Sequence, residues 1–328
     1  MKRSMLLPVI VAAIVFVASA AIAIAAAEPY TWTGMRNPCK RSGEEGLNEK
    51  QLGKKIGTFI TLADKHEWAQ AIFNVNNKFP GSRPWVTWAV GELKAATPLT
   101  DAEHEEYLAH MDALGVDVFL EIWPSDQDVN DLIDTYLGRF KHHPSVKGLG
   151  VDLEYHKTRC DDALARMWDQ RIKSHGKDYR LFLKHWELNR MPATYRGGAG
   201  GAGGAGGAGG AGGDGRRDVI FINTSSEAPR AALNKEFADW ANHFAPSAVA
   251  FQIGYPSDED GMDGSKEKGW WRLKDPIKDW GDELRAMITN KDQEIGLLWV
   301  TVKSGKTYNA QWDLTRGATV PKPAEVKR

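Results

Sequence analysis

The sequence predicts an α/β protein with the fold of a (β/α)₈ barrel of the TIM type, and three observations support this. Short apolar segments alternate with longer segments of helical pattern from residue 55 to residue 303. Eight such apolar segments can be counted, as a closed barrel requires. Several of them end in polar residues, which in this fold lie at the C-terminal mouth. The expected strands cover residues 56–62, 85–90, 116–123, 146–155, 180–187, 219–224, 248–255 and 295–302.

The segments between the strands have the spacing of amphipathic helices, with one exception. The expected helices cover residues 65–77, 100–114, 128–140, 161–175, 230–244 and 275–289. After the fifth strand the chain instead carries a Gly/Ala tract over residues 197–215. Glycine at this density does not hold a helix, so we expect a flexible linker or an insertion on top of the barrel. The tract lacks the Lys and Ser/Thr of a P-loop and does not lead into a helix, which argues against a phosphate-binding loop.

The composition predicts one large domain without affinity for nucleic acid. The chain has 328 residues with 42 basic and 43 acidic side chains, enough for one sizeable core and without the basic excess that binds phosphates. It contains 13 Trp residues, which either stack on sugar rings or fill the core. We therefore expect a monomer that does not bind nucleic acid, and the Trp content is compatible with a polysaccharide or glycan partner without deciding for one.

The N-terminal segment predicts export. Met1-Lys2-Arg3 precede an apolar run that ends at Ala27, which is typical of an export signal and, if uncut, of a membrane anchor. Residues 1–27 therefore predict a protein that is secreted or anchored to the outer face of the cell membrane. Residues 28–54 are expected to be a polar linker and residues 304–328 a C-terminal extension. Cys39 and Cys160 are either bonded to each other or free, and their spacing does not decide between these.

The fourth expected strand carries two carboxylates at its end. Side chains alternate across a strand, so one face is apolar and the other ends in Asp152 and Glu154. Two acids so close together repel each other, and one should have the raised pKa that a general acid needs near neutral pH. The alternative is a salt-bridged pair at the barrel rim without a catalytic role. The apolar face is formed by Leu149, Val151 and Leu153, and the opposite face by Gly148, Gly150, Asp152 and Glu154.

Residues 148–155, Gly-Leu-Gly-Val-Asp-Leu-Glu-Tyr, resemble the fourth-strand signature of the family 18 chitinases and related glycan hydrolases. Asp152 and Glu154 match the last Asp and the Glu of that signature, whereas Lys147 and Gly150 replace its earlier acids. Family 25 lysozymes also place an Asp-x-Glu at the end of a barrel strand. The resemblance to family 18 implies that Glu154 protonates the leaving oxygen and that Asp152 orients an acetamido group of the substrate, which acts as the nucleophile.

Two further roles are implied by the same resemblance. Residues 252–258 resemble the Met-x-Tyr-Asp segment of family 18, which implies that Tyr255 steadies the acetamido group, although here the segment lies on the seventh strand and not the sixth. Family 18 enzymes also carry a Trp on the last strand, beneath the sugar next to the cleaved bond. The resemblance therefore implies that Trp299 stacks under this sugar.

Polar and aromatic residues near several strand ends are expected to converge on the barrel mouth. Each also has a structural alternative, such as an ion pair between Glu121 and Lys184, a backbone contact of Gln252, or Trp299 as core filler. The catalytic candidates are Glu154, Asp152, Tyr255 and Glu121. The candidates for substrate binding are Trp88, Trp123, Lys184, Trp186, Glu187, Asn223, Gln252 and Trp299.

The sequence therefore predicts an exported glycoside hydrolase of a polysaccharide, N-acetylated or not, with Glu154 as general acid. If the substrate lacks an acetamido group, Glu121 is the candidate for the second carboxylate, and its distance from Glu154 would set the stereochemistry. The alternatives are a catalytically inactive glycan-binding barrel at the cell surface and an exported barrel with a structural role. No cofactor and no metal are expected, because no His/Cys cluster has the spacing of metal ligands, and His142-His143, at the far end of the fourth strand, is interpreted as a solvated turn.

Overall fold

The computed structural model describes residues 29–36, 64–91, 99–198, 218–226, 228–255, 270, 273–300, 314 and 316–322. Its eight parallel strands form a closed barrel in which each strand pairs with its neighbours in sequence and β1 pairs with β8. This confirms the predicted (β/α)₈ fold. The strands are β1 Trp32–Arg36, β2 Arg83–Ala89, β3 Asp117–Ile122, β4 Val146–Asp152, β5 Arg180–Lys184, β6 Ile220–Asn223, β7 Val249–Ile253 and β8 Ile295–Trp299.

The first strand lies earlier in the chain than the sequence predicts. Gly34 of β1 lies between Trp85 of β2 and Leu298 of β8, inside the segment expected to be a polar linker. The strand has only five residues, and Thr33, Gly34 and Arg36 interrupt its apolar pattern, so the sequence pattern does not reveal it. The strand expected over residues 56–62 lies outside the described residues.

The expected leader at residues 1–27 also lies outside the described residues, as do most of the Gly/Ala tract and of the C-terminal extension. Within the described part of the chain, no helix combines the length and the apolar content needed to cross a membrane.

Six helices cover the outside of the barrel in the described residues, and side chains cap most of their first turns. Thr100 and Glu103 form a reciprocal capping box at the start of the second helix, which ends at Gly115 in the left-handed conformation. Four other helices begin after Asp64, Asp128, Asp161 and Asp275, whose carboxylates accept backbone N–H groups. The helices are α1 Lys65–Asn76, α2 Asp101–Leu114, α3 Val129–Phe140, α4 Asp162–His175, α5 Arg230–Phe244 and α6 Pro276–Met287.

Aromatic rings fill the barrel interior below the mouth. Trp32 stacks on Trp85 at 5.6 Å between ring centroids, and the edges of the rings continue to Phe119 and Phe182. Glycines make room for these rings: a Cβ at Gly150 would overlap the Phe182 ring, and one at position 296 would lie 2.8 Å from Trp85. This aromatic layer closes the lower part of the barrel.

Cys160 forms no disulfide in the structure. Cys160 is a free thiol buried in the core between the barrel and its helices, and burial raises its pKa. Cys39 lies outside the described residues. The structure therefore favours the free form of Cys160 that the sequence left open.

Candidate active site

Four charged side chains from four strands converge near the C-terminal end of the barrel, above the aromatic layer. Lys184 of β5 donates to Glu121 Oε1 of β3, and its Nζ lies 2.6 Å from Asp152 Oδ2 of β4. Arg36 of β1 acts electrostatically on both carboxylates. Glu121, Asp152 and Lys184 are fully buried, and Arg36 is 8% exposed. We call these four residues the mouth cluster.

The strand register explains why these side chains meet. Asp152 lies beside Lys184 in the β4–β5 pairing, and Glu121 lies beside Gly150 in the β3–β4 pairing. Because inward-facing residues alternate along each strand, Glu121 shares its face with Phe119, and Lys184 with Phe182. The ammonium of Lys184 supplies the positive charge between the two carboxylates.

The two buried carboxyl groups have pKa values that are driven apart. Burial would raise the pKa of Glu121, but the charges of Lys184 and Arg36 outweigh it and hold the pKa below its ordinary value. Burial raises the pKa of Asp152 to about 6; the charge of Glu121 adds to the rise and Lys184 opposes it. Such a separation is the pattern by which paired carboxyl groups take different protonation roles at one pH.

Aromatic and amide side chains surround the mouth cluster. Trp123 donates from Nε1 to Glu121 Oε1 at 2.8 Å and stacks almost parallel on Tyr155, with ring centroids 4.6 Å apart. On the other side, Arg36 donates to the Tyr255 hydroxyl at 3.0 Å. That hydroxyl in turn donates to Gln252 Oε1 at 2.7 Å. The structure thus brings together Glu121, Trp123, Asp152, Lys184, Gln252 and Tyr255, all of which the sequence placed at the mouth.

Two further residues at the mouth, Arg36 and Tyr155, are not among the residues that the sequence predicts there. Arg36 lies on the unrecognised strand β1, so its position was hidden. The sequence predicts Tyr155 as the last residue of a strand, whereas it lies in a 3₁₀ turn, and its aromatic ring directly after Glu154 is the signal that could have marked it as a sugar-binding candidate.

Glu154 does not face the barrel interior, which corrects the prediction. Strand β4 ends at Asp152, whose Oδ1 accepts the Glu154 N–H at 3.1 Å and begins a 3₁₀ turn over Leu153–Tyr155. A side chain that bonds the backbone two residues later competes with continuation of the strand. The Glu154 side chain is consequently exposed at the end of β4.

A second turn follows the neighbouring strand β5. Glu187 is exposed, and the half-buried Trp186 stacks on His185 with centroids 4.2 Å apart. Burial lowers the pKa of His185 to about 4, and its Nδ1 accepts the Glu187 N–H at 2.9 Å, so the ring is neutral near pH 7. Arg190 links this turn to the other one by donating to the Leu153 carbonyl at 3.2 Å. Two exposed carboxylates, Glu154 and Glu187, thus follow neighbouring strands.

Three residues predicted to bind substrate face the helices instead. Trp88 packs against Tyr107 and donates to His104 Nδ1 at 3.0 Å. Asn223 donates to Glu236 of α5 at 3.0 Å. Trp299 is fully buried and packs edge-on to Trp270 and Trp280, so it fills the outer core. In strands that are buried on both faces, the sequence does not show which face turns inward.

Several polar atoms near the mouth lack hydrogen bonds. Among the described residues, Thr87 Oγ1, Glu121 Oε2 and Gln252 Nε2 are buried without a hydrogen-bond partner. Orphaned polar groups cost about 1–3 kcal/mol each, and native proteins keep few of them. Such atoms also occur elsewhere in the described residues, for example Ser145 Oγ and Ser247 Oγ, so the buried ion pairs of Lys184 are what distinguish the mouth.

Comparison with known proteins finds solved structures with a similar barrel, but it does not assign the chain to a family. No family model matches the chain, and no curated protein matches it. Among solved structures, it is similar to a calcium-binding mutant of Bacteroides uniformis β-glucuronidase 2, with 13% identity and a TM-score of 0.44 over 86% of this chain and 32% of the other. A GH113 β-1,4-mannanase is similar with 11% identity and a TM-score of 0.44, over 87% of this chain and 91% of the other.

A second Bacteroides uniformis β-glucuronidase has 12% identity and a TM-score of 0.42, over 90% of this chain and 32% of the other. The chain thus spans about a third of the length of the glucuronidases. These three structures are glycoside hydrolases by description, and the similarity describes the shape of the barrel alone. The resemblance to family 18 remains a prediction from residues 148–155.

Proposed function

We propose that the chain is a glycoside hydrolase whose reaction takes place at the C-terminal mouth of the barrel. The observation that carries the proposal is the mouth cluster, in which Glu121 and Asp152 share Lys184 and have pKa values driven apart. Charged side chains are costly to bury, and in this fold polar groups at the C-terminal strand ends are the usual catalytic machinery.

In this proposal Glu154 is the general acid and Asp152 is its positioning residue. A proton donor must reach the glycosidic oxygen, and the exposed Glu154 is accessible to a substrate above the mouth, whereas Asp152 is fully buried. The hydrogen bond from the Glu154 N–H to Asp152 Oδ1 fixes the turn that presents Glu154. Asp152 thereby couples the exposed acid to the mouth cluster.

The second catalytic group depends on the substrate. For an N-acetylated sugar, the acetamido oxygen of the substrate is the nucleophile, as the resemblance to family 18 implies. For a substrate without this group, Glu187 supplies the second carboxylate, because Glu121 is buried and bound to Lys184. A separation of about 5 Å between Glu154 and Glu187 in the complex gives retention of configuration, and about 6.5–9.5 Å gives inversion.

Aromatic side chains beside these acids form the sugar-binding surface. Tyr155 stacks on Trp123, and Trp186 stacks on His185. Both Tyr155 and Trp186 are half-buried. Partly exposed rings of this kind stack on the apolar faces of sugars. Residues 1–27 direct the enzyme out of the cell or anchor it to the outer face of the membrane, where a monomer meets polysaccharide.

The proposal is tested by substitution of the exposed acids against a panel of polysaccharides. The panel contains β-1,4-linked N-acetylglucosamine polymers, peptidoglycan and plain glucans, and released reducing ends are measured. We expect Glu154→Gln to lower hydrolysis by about 10²–10⁴-fold while affinity for the polysaccharide is kept. Glu106→Gln, on an outer helix, is the matched control and should leave hydrolysis unchanged. Unchanged hydrolysis in Glu154→Gln would remove Glu154 from the mechanism.

The second candidate is a glycan-binding barrel without turnover. It is favoured by one observation, namely that Lys184 occupies both buried carboxylates and leaves them unavailable to a substrate. This candidate predicts that the wild-type protein binds a polysaccharide of the panel and cleaves none of them. It also predicts that Tyr155→Ala and Trp186→Ala weaken binding.

A further inference from the structure

A cluster of metal-ligating side chains lies on the outside of the barrel, away from the mouth. Glu105 of α2 meets His142 and His143, which lie in the loop between α3 and β4, although 37 residues separate Glu105 from His142. Glu105 Oε2 is 3.0 Å from His142 Nε2 and 3.0 Å from His143 Nε2. The three ligand atoms all lie within 4.8 Å of one another.

The other ring nitrogen of each histidine faces a hydrogen-bond acceptor. His142 Nδ1 is 3.0 Å from the carbonyl oxygen of Arg139. His143 Nδ1 is 2.7 Å from Asp112 Oδ2, while Asp112 Oδ1 accepts the Ser145 N–H at 2.8 Å and is held in place. Since carbonyl and carboxylate oxygens cannot donate, both Nδ1 atoms carry the hydrogen.

This assignment leaves both Nε2 atoms directed at one carboxylate oxygen. A neutral imidazole with hydrogen on Nδ1 has a lone pair on Nε2, so two lone pairs would face the negative Glu105 Oε2 at 3.0 Å. A positive centre must therefore lie among the three atoms. A single proton on one ring or on Glu105 would satisfy only one of the two contacts, a proton on each ring would place two cations in rings 4.2 Å apart, and one metal ion would accept all three ligand atoms.

The distances fit a transition metal. Zinc lies about 2.0–2.1 Å from His nitrogen and 2.0–2.2 Å from carboxylate oxygen, so tetrahedral ligands are about 3.3 Å apart. The observed separation of 3.0 Å between Glu105 Oε2 and each Nε2 is close to this value. Imidazole ligands select zinc and neighbouring transition metals over magnesium and calcium. Asp112 and the Arg139 carbonyl are the kind of outer partners that orient metal-bound histidines.

We propose that Glu105, His142 and His143 bind a Zn²⁺ ion, with Asp112 orienting His143 and a water molecule as the fourth ligand. The sequence predicts a solvated turn at His142-His143, and His142 is exposed, but His143 is 5% exposed and bridges two carboxylates of α2. The ion links α2 to the loop that enters β4, at the end of the barrel opposite the mouth. Its role is to stabilise the fold, since this end of the barrel serves stability.

The test uses the full chain without an affinity tag, treated with a chelator and dialysed. Isothermal titration with Zn²⁺ should give one equivalent bound, and the melting temperature should rise with Zn²⁺ concentration. Co²⁺ in the same site should give the visible absorption bands of a four-coordinate ion. Glu105→Gln and His142→Ala should each weaken Zn²⁺ binding by at least 10-fold.

Two controls keep the test decisive. Glu106→Gln makes the same change of charge one residue further along α2, on a side chain that pairs with Lys65, and should bind Zn²⁺ as the wild type does. Circular dichroism of His142→Ala should match the wild type, because the side chain of His142 is 57% exposed. The proposal would be overturned if the wild type did not bind Zn²⁺. It would also be overturned if Glu105→Gln and His142→Ala bound Zn²⁺ as tightly as the wild type.

Discussion

The lower and upper halves of the barrel interior use the same strands for opposite purposes. In the lower half, Trp32, Trp85, Phe119 and Phe182 pack ring against ring. Near the mouth, the same inward faces of β1, β3 and β5 carry Arg36, Glu121 and Lys184. Apolar rings gain free energy when they leave water, whereas charges lose solvation that their partners only partly restore.

This difference indicates which half serves function. The aromatic half gains stability from packing alone, and glycines at positions 150 and 296 accommodate its rings. The mouth cluster keeps a carboxyl group with a raised pKa and buried polar atoms without partners. A barrel selected for stability alone would fill this space with apolar side chains.

The largest expected effect comes from removal of the central cation. Lys184→Met removes the cation that pairs directly with both Glu121 and Asp152 and leaves them only the charge of Arg36, so we expect a loss of about 3–5 kcal/mol in the free energy of unfolding. Urea denaturation measures this loss. Lys235→Met removes an exposed lysine that pairs with Asp239 on the surface of α5, and it should change stability by no more than about 0.5 kcal/mol. Similar losses of unfolding free energy in both variants would show that Lys184 contributes no more to stability than an exposed surface lysine.

Truncation of a ring in the lower half should also destabilise the barrel. Phe182→Ala leaves a cavity between Gly150 and Phe119, and we expect a loss of about 3–4 kcal/mol in the free energy of unfolding. Since no charge is involved, this loss should be the same at pH 5 and pH 7.5. A loss that varied strongly with pH would contradict the division into an apolar and a charged half.

The raised pKa of Asp152 predicts a dependence of stability on pH. An acid whose pKa is about 6 in the folded state and about 3.9 in the unfolded state binds its proton more tightly when folded. Its contribution is therefore complete below about pH 4 and is lost as pH rises through 6. Between pH 4.5 and 7.5 the wild type should lose about 2 kcal/mol relative to Asp152→Asn.

Glu121 does not disturb this comparison. Its pKa is held below the ordinary value, so its contribution to stability is lost only as pH falls below about 4.5. Chemical denaturation of both proteins across the window from pH 4.5 to 7.5 isolates Asp152. Parallel stability curves for the wild type and Asp152→Asn would show that Asp152 has an ordinary pKa.

The sequence predicted the fold because the strand and helix patterns are local. Alternation along β4 correctly placed Leu149 and Val151 toward the helices and Asp152 inward. The polar residues that end β3 and β5 also correctly place Glu121 and Lys184 at the mouth. There the structure forms the ion pair that is the structural alternative for these two residues.

The errors in the site have physical causes that sequence patterns do not contain. Glu154 left the strand because the Asp152 side chain bonds its N–H, a contact that competes with regular alternation. Trp88 and Trp299 lie on strands with two apolar faces, which do not reveal the inward side. The histidine cluster depends on Glu105, brought close only by the fold.

The central claim is that the mouth cluster is kept for function and not for stability. The most direct test is the triple variant Glu121→Gln, Asp152→Asn and Lys184→Met, studied by urea denaturation and by the polysaccharide panel. Because both carboxylates and the ammonium between them are neutralised together, and Arg36 keeps its hydrogen bond to the Tyr255 hydroxyl, the free energy of unfolding should stay within about 1–2 kcal/mol of the wild type while hydrolysis falls at least 100-fold. Hydrolysis at the wild-type rate in a folded triple variant would contradict the account.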